Sequence, residues 1–584
     1  MNRFHWLAVL FVLCFLHSAH AFVHNQISFT WGFHWDLTNL PATVSPNSVN
    51  RTTRAVRYFM ASDAYSTTNT QAELNALRAC FAQWQSISNT ILKFEEGGLV
   101  APRGTIDTAD NTNVLFWAKT NLTVATGANI SGALGVTFTT AILTGPFIAT
   151  FKEADIVFNG MEYSWYTDFS VPDSTNAFVE GTALHEIGHF IGLDHSPLGA
   201  ATMFAYSGRG VTAQAGLSVD EISAAQFIYP KLNIAAQKGM LKGQVTRAGT
   251  GILGAVITLE DTNGTMIAGT VSRSNGLYAL PMIPPGTYFA RISPLDPAAN
   301  PDVLAIGNDI SDAYSGAVTT FLPTTNMAVS LTAGVTNTLN FSVATNEPSF
   351  RISQILYTKP GVNLYYWAPL STIVSQGQRN VTLGVGAPNL PTNNATLTIT
   401  GDGLSLLSAS SMDFNGINFL TLKLNVASNA TPGLRSFLVQ QGTNQAYANG
   451  FLEVVPTSPD YNFDGLDDYY QRKYFSLFTS TNAAPAADPD KDGFNNSAEY
   501  LAGTDPTSAA SLLKIEQVKQ TAAGTTVTWQ SGLGKHYQVL SRPLVGTGAF
   551  QPVGAPVTGA GTATQFLDVT GTNGIKFYRV EAIP

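Results

Sequence analysis

The hydrophobic positions of the N-terminal part of the chain follow first a helical and then a strand spacing. In residues 71–84 apolar side chains recur three or four positions apart, at Leu74, Leu77, Phe81 and Trp84. This spacing predicts a helix with one face packed against a sheet. Short apolar or alternating runs that predict strands follow at residues 114–118, 134–139 and 154–159. The order of these elements predicts an α+β domain over residues 22–231.

After Pro230 the helical spacing fades, and short strand patterns alternate with turns rich in Gly and Pro. These patterns predict one β-sandwich over residues 238–345, a second over residues 346–455 and a terminal β module over residues 511–584. The stretch between them, residues 459–508, differs in kind because it is rich in Asp and Asn. The predicted fold is therefore multidomain, with an α+β domain followed by all-β sandwich modules and a small acidic repeat segment.

Length and charge agree with a string of modules. A chain of 584 residues is too long for one hydrophobic core. Its formal net charge of −9 is spread thinly, and no run of Lys and Arg interleaved with aromatic residues occurs. These features exclude nucleic acid as an expected partner.

The first residues predict export. Arg3 precedes an apolar stretch over residues 6–16, and Ala19 and Ala21 flank His20. This arrangement is typical of a signal peptide over residues 1–21. The apolar run is shorter than the roughly 20 residues that cross a bilayer, and no apolar stretch of spanning length follows. A secreted, extracellular protein without a transmembrane segment after the signal is expected, and Cys80 then remains without a disulfide partner.

A cluster of histidines carries the clearest chemistry. His185 and His189 lie four positions apart, so on a helix their imidazoles share one face. Gly192 can end that helix in a left-handed turn and bring His195 back as a third ligand. Three neutral imidazoles leave a fourth position of a zinc ion for water, and Glu186 is placed to act as general base. No other histidine lies between His34 and His536.

This segment resembles the metzincins, and within them the matrixin-like peptidases. The signature HExxHxxGxxH is matched at every fixed position from His185 to His195, and Met203 stands where the family has the methionine of its Met-turn. Residues 217–230, LSVDEISAAQFIYP, are similar to the family's final helix. The resemblance implies one catalytic zinc, held by the three histidines, with Met203 and Gly192 in structural roles. It covers about 200 residues of the chain.

The sequence also departs from the matrixin pattern. Ala205 stands where matrixins usually have Pro, which predicts a primed-side pocket of different shape. No cysteine lies between the signal peptide and Cys80, so latency through a cysteine on the zinc is not expected. The strand over residues 133–137 comes in the order of an edge strand that pairs with substrate, although a strand inside the sheet would have the same pattern. Asp155 is expected to be hydrogen-bonded or solvated, with a calcium or rim role as the alternative.

Two acidic segments share the spacing of EF-hand loops, with oxygen ligands at alternate positions and Gly at the sharp turn. The first loop has Gln471 at its last position and the second has Glu499, so the second is expected to bind calcium more strongly. The predicted ligands of the first loop are Asp460, Asn462, Asp464, Leu466, Asp468 and Gln471. Those of the second loop are Asp488, Asp490, Asp492, Phe494, Asn496 and Glu499. The second loop resembles the repeats of thrombospondin type 3 and dockerin-like modules; the competing interpretation is an Asp-rich linker.

The sequence patterns of the remaining modules indicate less specific resemblances. Residues 238–345 resemble the carboxypeptidase regulatory-like sandwich through GQV, GAVITL, SNGLYAL and PPGTY, and residues 346–455 resemble an immunoglobulin-type sandwich. The C-terminal module is similar to terminal β modules of large secreted bacterial proteins, so surface or polysaccharide contact and simple spacing both stay open.

Two functions follow as hypotheses. In the first, the chain is a secreted zinc metalloendopeptidase that hydrolyses extracellular proteins or peptides, with zinc as catalytic and calcium as structural cofactor. In the second, it is a multimodular adhesion or binding protein with a catalytically silent metzincin scaffold. Retention of Glu186 favours the enzyme, because a scaffold that needed only the metal would not need the base.

Overall fold

The computed structural model describes residues 32–145, 148–169, 176–207, 214–295, 316–358, 364–543, 548–571 and 575–584. The predicted signal peptide, residues 1–21, lies outside the described residues. The chain divides into two compact units, one up to Thr457 and the other from Ser458. Many β-sheets and few helices build both units, in agreement with the predicted multidomain, β-rich architecture.

A six-stranded sheet organises the N-terminal part of the first unit, in the order β1-β8-β4-β2-β3 with β7 on the far side of β8. The first five of these strands run parallel to their neighbours, whereas β7 is antiparallel and pairs only with β8 among the described residues. The strands of this part are β1 (Gly32–His34), β2 (Val56–Ala61), β3 (Phe94–Val100), β4 (Val114–Ala118), β5 (Thr123–Ala125), β6 (Ala128–Asn129), β7 (Gly135–Gly145), β8 (Ile148–Asn159), β9 (Trp165–Tyr166) and β10 (Ala177–Phe178).

Three helices accompany this sheet: α1 (Thr70–Ser86), α2 (Val179–Phe190) and α3 (Val219–Ile228). The predicted helix over residues 71–84 is thus confirmed and extends by one residue at its start and two at its end. Its buried face joins α1 to α2, because the indole Nε1 of Trp84 donates to the carbonyl of Leu184 at 3.0 Å. Phe81 stacks on Tyr58 of β2 with ring centroids 3.8 Å apart. The apolar side chains whose spacing predicted α1 therefore form the core that holds α2 in place.

The predicted strands are also present: the one at residues 114–118 coincides with β4, and the other two are longer than the sequence pattern gave. The strand predicted at residues 134–139 becomes β7 and that at residues 154–159 becomes the end of β8. Both were predicted too short because β7 and β8 form one long antiparallel pair, whose partner contacts extend the strands beyond the runs that the sequence pattern gave.

Later strands of the first unit form three further sheets among the described residues. The first group of strands is β11 (Gly239–Arg247), β12 (Thr250–Gly251), β13 (Ala255–Asp261), β14 (Met266–Val271), β15 (Leu277–Ile283), β16 (Gly286–Pro294), β17 (Met327–Leu331), β18 (Thr336–Thr338) and β19 (Phe341–Val343). The second group is β20 (Gln354–Thr358), β21 (Tyr365–Ala368), β22 (Thr372–Ser375), β23 (Val381–Ala387), β24 (Thr396–Ile399), β25 (Leu404–Phe414), β26 (Ile417–Val426), β27 (Gly433–Gln441) and β28 (Asn444–Val455).

One eight-stranded sheet contains strands from both groups, in the order β17-β16-β13-β14-β27-β28-β22, with β24 beside β27. The two groups meet where Met266 of β14 pairs with Leu434 of β27. Arg291 also connects the two groups of strands. It forms a buried ion pair with Glu260, 2.7 Å away, and donates a hydrogen bond to Asn449 of β28 at 3.0 Å. The two segments that the sequence separates near residue 345 therefore share a sheet.

The second unit begins with two short helices, α4 (Asp468–Tyr474) and α5 (Asn496–Ala502), each following an acidic loop. A three-stranded and a four-stranded sheet follow, around the buried side chains of Trp529 and Tyr537. Their strands are β29 (Ile515–Thr521), β30 (Gly524–Gln530), β31 (His536–Arg542), β32 (Gln551–Pro552), β33 (Val557–Thr558), β34 (Ala563–Asp568) and β35 (Phe577–Ile583).

None of the helices among the described residues combines the length and apolar character needed to cross a membrane.

Candidate metal centre

The three histidines of the predicted zinc site meet at the end of α2. His185 and His189 lie one turn apart on this helix, which ends at Phe190. Gly192 then adopts a left-handed conformation with φ of +100°, and a Cβ at this position would overlap the carbonyl oxygen of Phe33. Only glycine fits both conditions. The chain can therefore reverse directly after the helix and return His195 to the other two rings.

The geometry of the three rings fits a tetrahedral metal ion. The Nε2 atom of His185 lies 3.1 Å from that of His189 and 3.2 Å from that of His195. Three zinc–nitrogen bonds of ordinary length in a tetrahedral arrangement place the nitrogen atoms about 3.3 Å apart. Nitrogen lone pairs that face each other this closely repel unless a cation lies between them. The geometry of the cluster therefore fits a site that could hold a metal ion.

Backbone carbonyls fix the tautomer of two of these rings. Nδ1 of His185 donates to the carbonyl of Thr202 at 2.9 Å, and Nδ1 of His189 donates to the carbonyl of Leu193 at 2.9 Å. A carbonyl only accepts, so each Nδ1 carries the hydrogen and each Nε2 keeps its lone pair for a metal. Burial lowers the pKa of His185 to about 4, which keeps its ring neutral.

The carboxylate of Glu186 lies beside the cluster in a buried position. Its Oε2 accepts a hydrogen bond from Oγ1 of Thr137 on β7 at 2.7 Å, and the same hydroxyl lies 2.9 Å from the backbone carbonyl of Glu186. Burial raises the pKa of Glu186 to about 7, although the hydrogen bond from Thr137 opposes the shift. A carboxyl group with a pKa near neutrality can both accept and release a proton at physiological pH.

Gly135 makes room for this carboxylate. A Cβ at this position of β7 would lie 2.8 Å from Oε1 and 2.9 Å from Cγ of Glu186. The absence of a side chain at Gly135 therefore lets Glu186 lie directly against the edge strand.

Met203 packs beneath α2, where the sequence placed the Met-turn. Its side chain is 2% exposed, and a Cβ on Gly188 would overlap its Sδ atom. The backbone of Met203 is held on both sides: its N–H donates to Oε1 of Glu221 at 2.9 Å, and its carbonyl accepts from the N–H of Ser196 at 2.7 Å. Met203 is therefore an apolar support next to the turn that carries His189.

The sequence of this segment matches a known peptidase family. Residues 50–230 match the family model of the matrixins, Peptidase_M10. The match supports a matrixin-like domain in this part of the chain. The match covers five of the six strands of the sheet, all but β1, together with the three helices and all three histidines. It supports a metalloprotease-like site with zinc as the implied metal.

Other comparisons add no functional information. A search of curated proteins finds no match. Among solved structures, the chain is similar to GBS52, a minor pilin of Streptococcus agalactiae, at 15% identity over 20% of this chain and 48% of that one, with a TM-score of 0.13. The chain thus spans about half the length of that pilin. BcpA, the major pilin subunit of Bacillus cereus, matches at 11% identity over 38% of this chain and 70% of that one, with a TM-score of 0.14. TM-scores this low carry no argument.

Sequence reasoning missed the residues that orient the matrixin-like site. Thr137, Gly135 and Gly188 act through contacts with residues far away in the sequence, and Leu193 and Thr202 act through their carbonyls. No side-chain pattern reports a carbonyl, but the strand over residues 133–137 was recognised as a neighbour of the active helix and could have indicated Thr137. The structure places this strand at the sheet edge. Asp155 is buried and accepts from the N–H of Val114 at 2.8 Å, in agreement with the hydrogen-bonded carboxylate expected from the sequence.

The two acidic loops of the second unit have matching backbone conformations. Phe463 and Lys491, at the fourth position of each loop, have φ of 57° and 64°, and the sixth-position glycines, Gly465 and Gly493, have φ of 86° and 97°. In both loops the first Asp accepts hydrogen bonds from backbone N–H groups of the turn. The two loops therefore share left-handed backbone conformations at their fourth and sixth positions.

The loops differ in how their oxygen atoms are paired. In the first loop the amide Nε2 of Gln471 donates to Oδ2 of Asp464 at 2.8 Å. The last position of this loop is therefore hydrogen-bonded to its fifth position. In the second loop the carboxylates of Asp488, Asp490 and Asp492 lie close enough to share one ion. Several buried oxygens of this loop have no hydrogen-bond partner, namely Oδ2 of Asp490, Oδ2 of Asp492, Oδ1 of Asn496 and Oε2 of Glu499.

Proposed function

We propose that the matrixin-like domain is a zinc metalloendopeptidase that hydrolyses peptide bonds of extracellular proteins. The observation that carries this proposal is the convergence of three Nε2 atoms, from His185, His189 and His195, beside the buried carboxylate of Glu186. A zinc ion in this position would supply a Lewis acid that polarises the scissile carbonyl and makes water a nucleophile at neutral pH.

The chain's own residues supply the remaining steps. Glu186 takes a proton from the attacking water and passes it to the leaving amine, which is consistent with its pKa near neutrality. Thr137 holds the carboxylate in one orientation through its hydroxyl. Met203 and Gly192 support the ligands without touching the reacting atoms.

The edge strand β7 is suited to align the substrate. It pairs only with β8 among the described residues, so its other side can accept an extended peptide by backbone hydrogen bonds. Because Thr137 of the same strand contacts Glu186, a peptide along β7 would run past the general base. This placement favours an endopeptidase, which needs room for substrate on both sides of the cleaved bond.

The rival hypothesis is an adhesion or binding protein with a silent scaffold. The contact between Thr137 and Glu186 and the space left by Gly135 argue for the enzyme, because a structural metal site needs neither. Secretion, a protein or peptide substrate, and surface or polysaccharide contact through the C-terminal β module remain parts of the proposal.

Hydrolysis of casein and of a mixed peptide library by the purified full chain tests the proposal, with Glu186→Ala and a zinc chelator as parallel arms. We expect cleavage by the wild type only, with zinc still bound to Glu186→Ala. Cleavage that survives in Glu186→Ala would contradict the role of Glu186 as general base. A zinc-loaded wild type that cuts nothing in the library would favour the binding protein.

We propose further that the second acidic loop binds calcium as a structural cofactor. Its unpaired buried oxygens support the proposal, because buried carboxylate oxygens without partners are costly unless a cation neutralises them. The first loop is proposed as a weaker site, since Gln471 already pairs with Asp464. Calorimetric titration of the chelator-treated chain with calcium tests both sites. We expect one tight site, abolished by Asp492→Asn, and no binding at either loop would contradict the proposal.

A further inference from the structure

The loop between the third histidine and the methionine packs against strands that lie far away in the sequence. The N–H groups of Gly199 and Ala200 donate to the carbonyls of Asn449 and Gly450 on β28, at 2.9 and 2.8 Å. These backbone bonds connect the zinc-binding segment to a strand about 250 residues further along the chain. Asn449 is itself fixed, because its side chain accepts from Arg291 at 3.0 Å and donates to Ser293 at 3.0 Å.

Apolar contacts surround these hydrogen bonds. The side chain of Leu198 is fully buried and belongs to one cluster with Met266 of β14 and Leu434 of β27. One step further along, the ring of Phe204 meets that of Phe451 edge-on, with centroids 5.2 Å apart. The loop is therefore part of the hydrophobic core of the later strands.

Glycines on both sides make this fit close. A Cβ at Gly269 of β14 would lie 2.9 Å from Cδ2 of Leu198 and 2.9 Å from Cγ of Pro197. A Cβ at Gly199 would overlap the ring of Phe451. The loop and the strands thus approach each other with no space for one additional methyl group at either place.

Asp220 of α3 forms a second connection. Its carboxylate accepts from Oγ of Ser196 at 2.7 Å and from the N–H of Gly269 at 2.9 Å. Ser196 directly follows His195 in the chain. The buried carboxylate of Asp220 therefore connects the residue after the third histidine to β14.

The same loop orients a zinc ligand. Thr202, the residue after the packed segment, provides the carbonyl that accepts from Nδ1 of His185 at 2.9 Å. The groups that orient metal-ligating imidazoles affect metal affinity by about 10- to 100-fold. The position of the loop therefore determines the orientation of His185.

We propose that the strands β14 and β28 are a structural part of the zinc site, with Gly269, Asn449 and Gly450 acting as positioning residues for the loop that orients His185. The inference rests on the proposed function, because it assigns these residues to the same metal site. It also changes the role of the β segments from spacers to partners that the peptidase domain needs for metal retention.

Two pairs of full-length variants test this inference. Gly269→Ala adds a methyl group against Leu198, whereas its control Gly286→Ala adds one on β16 near only the end of the Tyr288 side chain. Met266→Ala empties part of the shared cluster, whereas its control Met327→Ala changes a side chain that is 41% exposed on β17.

The readouts are the rate at which a chromogenic chelator removes zinc and the visible spectrum of the cobalt-substituted chain, both measured well below the melting temperature. We expect zinc release to become about tenfold faster in Gly269→Ala and Met266→Ala, with an altered cobalt spectrum, and to stay unchanged in both controls. A variant that is only less stable would have a lower melting temperature but would keep the wild-type rate of zinc release and the wild-type cobalt spectrum.

Wild-type zinc release and cobalt spectrum in both test variants would overturn the inference. If Gly269→Ala does not fold, Met266→Ala and its control decide by the same criterion. If the variants release zinc faster while the wild type cleaves no peptide, the inference stands and the proposed peptidase function fails.

Discussion

The hydroxyl of Thr137 lies 2.7 Å from Oε2 of Glu186 and connects the edge strand of the sheet to the proposed general base. The same hydroxyl also contacts the backbone carbonyl of Glu186, so β7 and α2 meet at this residue. One threonine thereby links the surface proposed to align a peptide with the carboxylate proposed to move its proton.

Replacing this hydroxyl is expected to slow peptide hydrolysis without releasing zinc. Thr137→Val keeps the shape of the side chain but removes the hydrogen bond to the carboxylate, and such bonds to a charged group contribute about 1.5–3 kcal/mol. We expect kcat/KM to fall by about tenfold or more, measured by steady-state cleavage of a fluorogenic peptide. Thr137→Ser retains the hydroxyl and serves as control. Equal rates for Thr137→Val and the wild type would show that the contact does not orient the base.

A methyl group at Gly135 is expected to displace the carboxylate of Glu186. Its Cβ would lie 2.8 Å from Oε1, closer than van der Waals contact allows. Misplacement of a catalytic group by about 1 Å lowers rates by about a hundredfold, so we expect Gly135→Ala to lower kcat by that order at unchanged zinc content. The matched control is Gly104→Ala, whose Cβ has Oγ1 of Thr120 as its nearest neighbour at 3.8 Å. A fall in zinc content that parallels the fall in kcat would point to general disruption instead.

Glu453 is expected to make the first unit less stable as the pH rises. Burial, with a smaller contribution from the nearby Glu221, raises the pKa of Glu453 to about 8 from its ordinary value of 4.5. Between these two values the unfolded state ionises while the folded state keeps the proton, so unfolding is favoured more strongly at each higher pH. Below pH 4.5 both states are protonated and the difference disappears.

The variant Glu453→Gln removes this dependence. We expect it to raise the free energy of unfolding by roughly 4 kcal/mol at pH 8 and to have little effect at pH 4. Urea denaturation of the zinc-free chain at pH 4, 6 and 8 measures the difference, with the exposed Glu347→Gln as control. A stabilisation that is equal at all three pH values would mean that titration of Glu453 does not cause it.

Which features of this molecule can be predicted from its sequence depends on how far apart the contacting residues lie along the chain. The spacing of His185, His189 and His195 is local, so the cluster could be predicted, and so could Met203 eight residues further on. Helix α1 was predictable because its buried side chains repeat with the helical period. Each of these signals lies within one short segment.

Contacts between distant segments could not be predicted in this way. The pairing of Gly199 with Asn449 and the hydrogen bond of Thr137 to Glu186 join backbone or hydroxyl groups that any sequence carries in abundance. The shared sheet through Met266 and Leu434 likewise has no local signal, because each strand has an ordinary alternating pattern by itself. The β-rich character of the later segments was thus predictable, whereas their contact with the zinc loop was not.

The first acidic loop is expected to gain calcium affinity from a single change. Gln471 offers one neutral oxygen at the position where the second loop has Glu499, and its amide now donates to Asp464. Gln471→Glu supplies a carboxylate at that position and removes the internal donor. We expect a calcium dissociation constant at least about tenfold lower for this loop, measured by calorimetry. The exposed Gln517→Glu on β29 is the control, and an unchanged constant would mean that this position does not face the ion.

The most direct test of the central claim is a titration of the metal-free full chain with zinc, in which bound zinc and peptide hydrolysis are measured on the same samples. The account predicts that activity rises in proportion to bound zinc and reaches its plateau at one ion per chain, while Glu186→Gln binds the same ion and stays inactive. Activity in the metal-free chain, or full activity of Glu186→Gln, would contradict the assignment of the three histidines and Glu186.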